Sequence, residues 1–202
     1  KNALINNTTG SYNTATGKGA LTGNTTASNN TGVGYNALTA NTTGIDNTAV
    51  GKSSLSANTT GNNNTAMGHG AMAANTTGYS SAAFGENTLD AQTTGAINSA
   101  FGTDSLGSLT TGNYNSAIGY NAGSNITTGA HNVILGSAST TTSGGANYAT
   151  VIGYAVSGDG GYTTLGYGAL DIRAAHGNIT WATVSDERYK KDIVDSTAGL
   201  SF

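Results

Sequence analysis

The sequence contains no cysteine and no proline, and only 8% of its residues are charged. The lack of cysteine excludes a disulfide scaffold, a zinc ribbon and thiol redox chemistry, and the lack of proline excludes a collagen-like chain. No lysine or arginine lies between Lys52 and Arg173, so there is no basic stripe that could bind nucleic acid. No apolar run approaches the roughly 20 residues of a membrane helix, and the first residues do not resemble a signal peptide. We therefore expect neither nucleic-acid binding nor membrane insertion.

Glycine, threonine and asparagine instead make up close to half of the chain, and they recur with a period of 17 residues. Each repeat ends in a short apolar segment closed by glycine, such as NTAVG or NSAIG. The closing glycines are Gly17, Gly34, Gly51, Gly68, Gly85, Gly102, Gly119, Gly136 and Gly153. Such a constant column indicates a backbone position with positive φ or a close approach between neighbouring repeats. Lys1 directly follows the place of a further repeat glycine, so we expect this chain to be part of a larger protein.

Two more columns share the period: a TTG motif, and an apolar column that begins Leu4, Leu21 and Leu38. Seventeen residues are too few for a pair of helices, and the Gly, Asn and Thr content favours two short strands per coil. The sequence therefore predicts an all-β, parallel β-solenoid. Nine coils stacked about 4.8 Å apart would form a rod roughly 43 Å long. We expect one asparagine column to form an amide ladder and the threonine hydroxyls to link successive corners.

Each predicted strand has two adjacent apolar residues, for example Ala49 and Val50, or Ala83 and Phe84. Adjacent strand residues point to opposite faces, so one would fill the thin coil and the other would pack against another copy of the chain. This pattern predicts a homo-oligomer but not its order. We assign Phe84 to the core. The residues after the repeat glycines vary freely, from Lys18 onward, which is typical of solvent-exposed surface.

The strands NTAVG and NSAIG, followed by YNA or similar residues, resemble the head repeats of YadA-type trimeric autotransporter adhesins. The resemblance covers about residues 3–170. It implies a left-handed parallel β-roll in a homotrimer that binds a host cell-surface receptor, either a glycan or a protein. The constant NTTG insertion departs from the adhesin pattern.

The 17-residue register ends after Gly153, because the next equivalent glycine is Gly166, 13 residues on. We divide the chain into repeats (1–153), an irregular transition (154–184) and a charged C-terminal segment (185–202). Within the last segment, SDERYKKDI holds six charged residues. Ser185 followed by two acidic residues is typical of a helix N-terminus.

The same run resembles the start of the C-terminal intramolecular chaperone domain of phage tail fibres and endosialidases. That resemblance implies self-cleavage between Val184 and Ser185, with Ser185 as nucleophile and Lys190 as base. A simple capped helix is the alternative interpretation.

Other chemistry-bearing residues give weaker signals. His69, His131 and His176 occupy different phases of the repeat without the spacing of paired metal ligands, so no metal or cofactor is predicted. The periodic pattern also explains the carboxylates Glu86 and Asp104, so we do not expect an enzyme acting on an external substrate.

The leading functional hypothesis is a structural, receptor-binding phage tail fibre located in the virion. A bacterial surface adhesin is the first alternative, and an ice-binding solenoid that uses the threonine columns is the second.

Overall fold

The computed structural model describes residues 2–177 and the short strand Ala182–Thr183. The described residues contain strands and turns and no helix. The strands are β1 (Thr14–Thr16), β2 (Thr31–Val33), β3 (Thr48–Val50), β4 (Thr65–Met67), β5 (Ala82–Phe84), β6 (Ser99–Phe101), β7 (Ser116–Ile118), β8 (Val133–Leu135), β9 (Thr140–Thr141), β10 (Thr150–Tyr154), β11 (Ser157–Gly158), β12 (Tyr162–Tyr167), β13 (Leu170–Ala175) and β14 (Ala182–Thr183).

Strands β1 to β8 and β10 pair in parallel, each with the strand of the next coil, and the paired residues are 17 positions apart. They continue through β12, β13 and β14 into one 12-stranded sheet, while β9 and β11 form a separate pair. The predicted all-β parallel solenoid with a 17-residue repeat is confirmed. Its left-handed winding and its trimeric state stay predictions.

The core is a narrow column inside the coils, made of one strand residue and one turn residue from each coil. In β3 the middle residue Ala49 is fully buried, whereas Thr48 and Val50 point outward and are partly exposed. The large buried side chains are Leu21, Leu38, Leu55, Met72, Leu89, Leu106, Leu109, Ile126, Ile134, Val151 and Val156. Leu109 and Ile126 enter the core where the leucine column ends, since Gly123 replaces leucine in that coil.

The assignment of Phe84 to the core was wrong. Its neighbour Ala83 is the buried residue, and Phe84 lies on the outer face of β5. The inward position is alanine in most coils because the space facing the leucine column is small.

The expectation of two strands per coil was also wrong, since most coils contain only one. The segment around each leucine is a turn in which two residues adopt left-handed backbone conformations, for example Ser53 (φ 58°) and Leu55 (φ 47°). Such residues cannot continue a strand. The segment still bonds to the next coil, because the amide of Leu55 donates to the carbonyl of Ala71 at 3.0 Å.

The repeat glycines have the role that their spacing predicts. Gly51 has φ 134°, and a Cβ placed there would lie 2.4 Å from the carbonyl oxygen of Gly68 in the next coil. Both the conformation and the close approach of successive coils require glycine.

Two asparagine ladders line the inside of the coils. In the predicted ladder, the amide of Asn47 donates to Oδ1 of Asn30 at 3.0 Å, and its Nδ2 donates to the carbonyl of Gly61 at 2.8 Å. A second ladder links the asparagines of the NTT motifs, with Asn58 donating to Asn41 at 2.9 Å. Ordinary coil stacking therefore satisfies polar groups that would be costly to bury alone.

The two ladders compensate for each other where the pattern changes. Ser81 replaces asparagine in the first ladder, and Gln92 replaces asparagine in the second. The longer side chain of Gln92 accepts a hydrogen bond from Asn98 at 2.9 Å and donates to Asn75 at 3.2 Å. The buried network thus stays connected across the substitution.

At the C-terminal end the solenoid changes direction. Strand β12 still pairs in parallel with β10, at the predicted 13-residue offset between Gly153 and Gly166, but β13 returns antiparallel to β12. Arg173 of β13 forms an ion pair with Asp159 at 2.5 Å. This antiparallel hairpin ends the stack of parallel coils.

Candidate interaction surface

The outer face of the long sheet is the main candidate for a functional surface. Exposed and buried residues alternate along each strand and its flanks; from Tyr114 to Tyr120 the even-numbered residues are exposed. We call the resulting four columns the sheet face: the first and third residue of each strand, the residue two before the strand, and the residue two after it.

The third strand position forms an apolar column along the sheet face. Strand pairing places its members side by side: Val33, Val50, Met67, Phe84, Phe101, Ile118, Leu135, Ile152, Leu165 and Ile172. The rings of Phe84 and Phe101 stack with centroids 4.8 Å apart. Several members stay exposed, including Ile118 at 53% and Met67 at 42%. The column is therefore a continuous apolar surface that the chain itself does not cover.

Aromatic residues border this column in the C-terminal coils. On one side, His131 is stacked between Tyr114 and Tyr148, with ring centroids 4.8 Å and 4.9 Å apart. On the other side, the rings of Tyr154 and Tyr167 are stacked at 5.3 Å. The residue motifs that we singled out did not include these stacks, although the 17-residue spacing of Tyr114, His131 and Tyr148 is visible in the sequence.

Charged groups border the column in the N-terminal coils. Lys18 lies over the ring of Tyr35, and His69 contacts Glu86 at 3.2 Å. Both pairs connect neighbouring coils across exposed surface, where such contacts contribute little to stability. They mark this end of the sheet face as hydrated.

The threonine turns lie outside the sheet face. The hydroxyl of Thr42 donates to the carbonyl of Thr59 in the next coil at 3.0 Å, as predicted for the corners. The second threonine of the pair, Thr43, is exposed and its side chain makes no hydrogen bond within residues 2–177. The ice-binding alternative would have to rest on this second column, and a thermal-hysteresis assay tests it.

The predicted carboxylate and histidine residues do not form a catalytic or metal centre in residues 2–177. No group of three possible metal ligands and no pocket is present in that range. Burial raises the pKa of Asp90, and the charge of nearby Asp104 adds to the effect. The residues of the predicted cleavage site, Val184, Ser185 and Lys190, lie outside the described residues.

Comparisons with known proteins give no assignment, since no family model, no curated protein and no solved structure matches the chain. No helix able to cross a bilayer occurs in the part of the chain that the structure describes. The fold therefore rests on the structure itself, and the resemblance to adhesin heads and to the chaperone domain stays a prediction.

Proposed function

We propose that this chain is a segment of a homotrimeric, receptor-binding fibre whose copies pack through the sheet face. The observation that carries the proposal is the apolar column, which crosses ten paired strands without a charged residue. Soluble proteins rarely leave so long an apolar surface exposed, and such surfaces mark interaction sites.

A second copy of the chain is the occupant that fits this surface best. Its outer columns have the same coil-to-coil spacing of about 4.8 Å, so two copies can match row by row along the whole sheet. The sheet face is about 43 Å long and about 20 Å wide, or roughly 860 Å², close to the ~800 Å² per partner of a stable interface. The three-fold order comes from the resemblance to adhesin heads.

The fibre role follows from the architecture together with that resemblance. A solenoid lengthens by one coil for every 17 residues, which makes a rod that can hold a binding surface away from a particle. The chaperone-like ending favours a phage tail fibre in the virion that attaches to a host cell-surface receptor. A bacterial surface adhesin is the alternative, and immunogold labelling with antibodies against residues 2–177 separates the two: the label marks either phage tails or cell surfaces.

Sedimentation equilibrium tests the assembly directly. We expect a species of three times the chain mass of 19.9 kDa that persists on dilution. A monomer at every concentration would contradict the proposal.

Maturation is tested in the full-length parent. We expect a mature chain ending at Val184, and an uncut but trimeric protein when Ser185 is replaced by alanine. Lys190→Ala should slow the cut more than the matched change Lys191→Ala. Intact-mass measurement decides, and cutting that persists in Ser185→Ala would end the self-cleavage proposal.

A further inference from the structure

The sheet face divides into two chemically different halves. In the coils of β1 to β5 its flanking columns contain the charged or titratable residues Lys18, Asp46, Lys52, His69 and Glu86. In the coils of β6, β7, β8, β10 and β12, the four columns contain no lysine, arginine, aspartate or glutamate. We call these coils the C-terminal half of the sheet face.

Aromatic and large aliphatic residues replace the charges in the C-terminal half. Tyr120 and Tyr154 are exposed by 57% and 53%, and Ile118 between the two flanks is exposed by 53%. The stack of Tyr114, His131 and Tyr148 occupies the opposite flank. Aromatic residues are enriched and charged residues are depleted at the buried centre of protein interfaces.

Stacking within the chain also prepares these rings for binding. Each stacked ring is held by the ring of the next coil, so it loses little conformational freedom when a partner covers its edge. In the N-terminal half, by contrast, a partner would have to remove water from Lys18, Lys52 and Glu86, which is costly without exact pairing.

We propose that copies of this chain associate chiefly through the C-terminal half of the sheet face, while the N-terminal half contributes little to the contact. This inference rests on the proposed homo-oligomeric fibre and locates its interface. Every coil has the same fold, so the difference between the halves arises only from the outer columns.

The test compares one substitution at the same position of two different coils. Ile118→Asp in β7 and Val50→Asp in β3 both place a carboxylate in the apolar column, next to a buried alanine. Circular dichroism checks the fold, and sedimentation at a series of dilutions gives the concentration at which the assembly dissociates. We expect Ile118→Asp to raise that concentration by at least about tenfold and Val50→Asp to change it by much less.

A second measurement avoids a charged substitution. Because the chain contains no cysteine, Ile152→Cys and Val33→Cys each introduce a single thiol at equivalent positions. We expect alkylation by a maleimide to be slower at Ile152→Cys than at Val33→Cys in the assembled protein, and the rates to converge on dilution.

The outcomes separate this inference from the proposed function. Equal dissociation by both aspartate variants, or equal alkylation rates in the assembly, would overturn the location of the interface while the assembly stands. A wild-type chain that is monomeric at all concentrations would overturn the assembly itself.

Discussion

Replacing Asn47 by alanine tests whether the asparagine ladder holds successive coils together. The side chain of Asn47 is fully buried and joins three coils. Its Nδ2 donates to the carbonyl of Gly61 at 2.8 Å, and its Oδ1 accepts from the amide of Asn64 at 3.0 Å. Alanine cannot replace either hydrogen bond.

The magnitude follows from the two backbone groups that lose their partner. A buried polar group left without a hydrogen bond costs about 1–3 kcal/mol, so two such groups predict a loss of about 2–6 kcal/mol. A typical domain has only about 5–15 kcal/mol of stability. We therefore expect Asn47→Ala to lower the free energy of unfolding by a large fraction or to prevent folding.

Urea unfolding followed by circular dichroism measures this loss. Variants are compared at one fixed protein concentration, since association adds to the apparent stability. The matched control is Thr43→Ala in the same coil, because the Thr43 side chain is exposed and makes no hydrogen bond. A loss below about 1 kcal/mol for Asn47→Ala, or an equal loss for the control, would refute the argument that the ladder stabilises the stack.

Three further predictions concern the core, the repeat glycines and an acidic side chain. Ala83→Asp should unfold the chain, because it would bury a carboxylate at several kcal/mol, whereas Phe84→Asp should keep the circular dichroism spectrum of the folded rod; the reverse result would show that the faces are assigned wrongly. Gly51→Ala should lower the melting temperature, because its φ of 134° and the carbonyl of Gly68 at 2.4 Å from the new Cβ both oppose it; an unchanged melting temperature would refute the close approach. Asp90 has a pKa raised by burial, so its folded form binds a proton more readily than its unfolded form, and the stability that this adds is present at acid pH and lost as the pH rises through the folded pKa. Asp90→Asn should accordingly raise the melting temperature at pH 7 but not below the ordinary aspartate pKa of 3.8, and a melting temperature at pH 7 that stays the same or falls would contradict this.

The period of the repeat was sufficient to predict the strands, their parallel pairing and the glycine column. Stacked coils place equivalent residues on top of each other, so each column of the sequence is also a column of the structure. The same logic predicted the ladder through Asn30 and Asn47. The second ladder, through Asn41 and Asn58, was missed because the NTT motif was interpreted only as a turn, although its asparagines are as regular as those of the first.

The leucine turn shows what the period alone does not give. A buried leucine normally avoids positive φ, yet Leu55 adopts φ 47°, since the coil must turn sharply while keeping this side chain in the core. Backbone propensity therefore predicted a strand where the structure has a turn.

The faces of the strand could have been assigned from variation between coils. The inward residue is alanine at Ala49, Ala66, Ala83, Ala100 and Ala117, whereas the outward residue changes from valine to methionine, phenylalanine and isoleucine. Space inside the coil is fixed by the neighbouring coils, so the constant small residue must be the buried one. Choosing Phe84 as a core residue relied on hydrophobicity alone, which does not separate a core from an interface.

This separation of inner and outer columns also explains how one fold can have an interface in only part of its length. Each coil contacts mainly its two neighbours, so its stability depends on the inner columns and on the contacts to those neighbours. The outer columns are then free to change from coil to coil without loss of the fold, as they do between Lys52 in an N-terminal coil and Tyr120 in a C-terminal one. Because an uncharged apolar column over the whole sheet would also favour association with unrelated surfaces, the charges that flank its N-terminal half keep that half hydrated and confine the strongest contacts to the C-terminal coils.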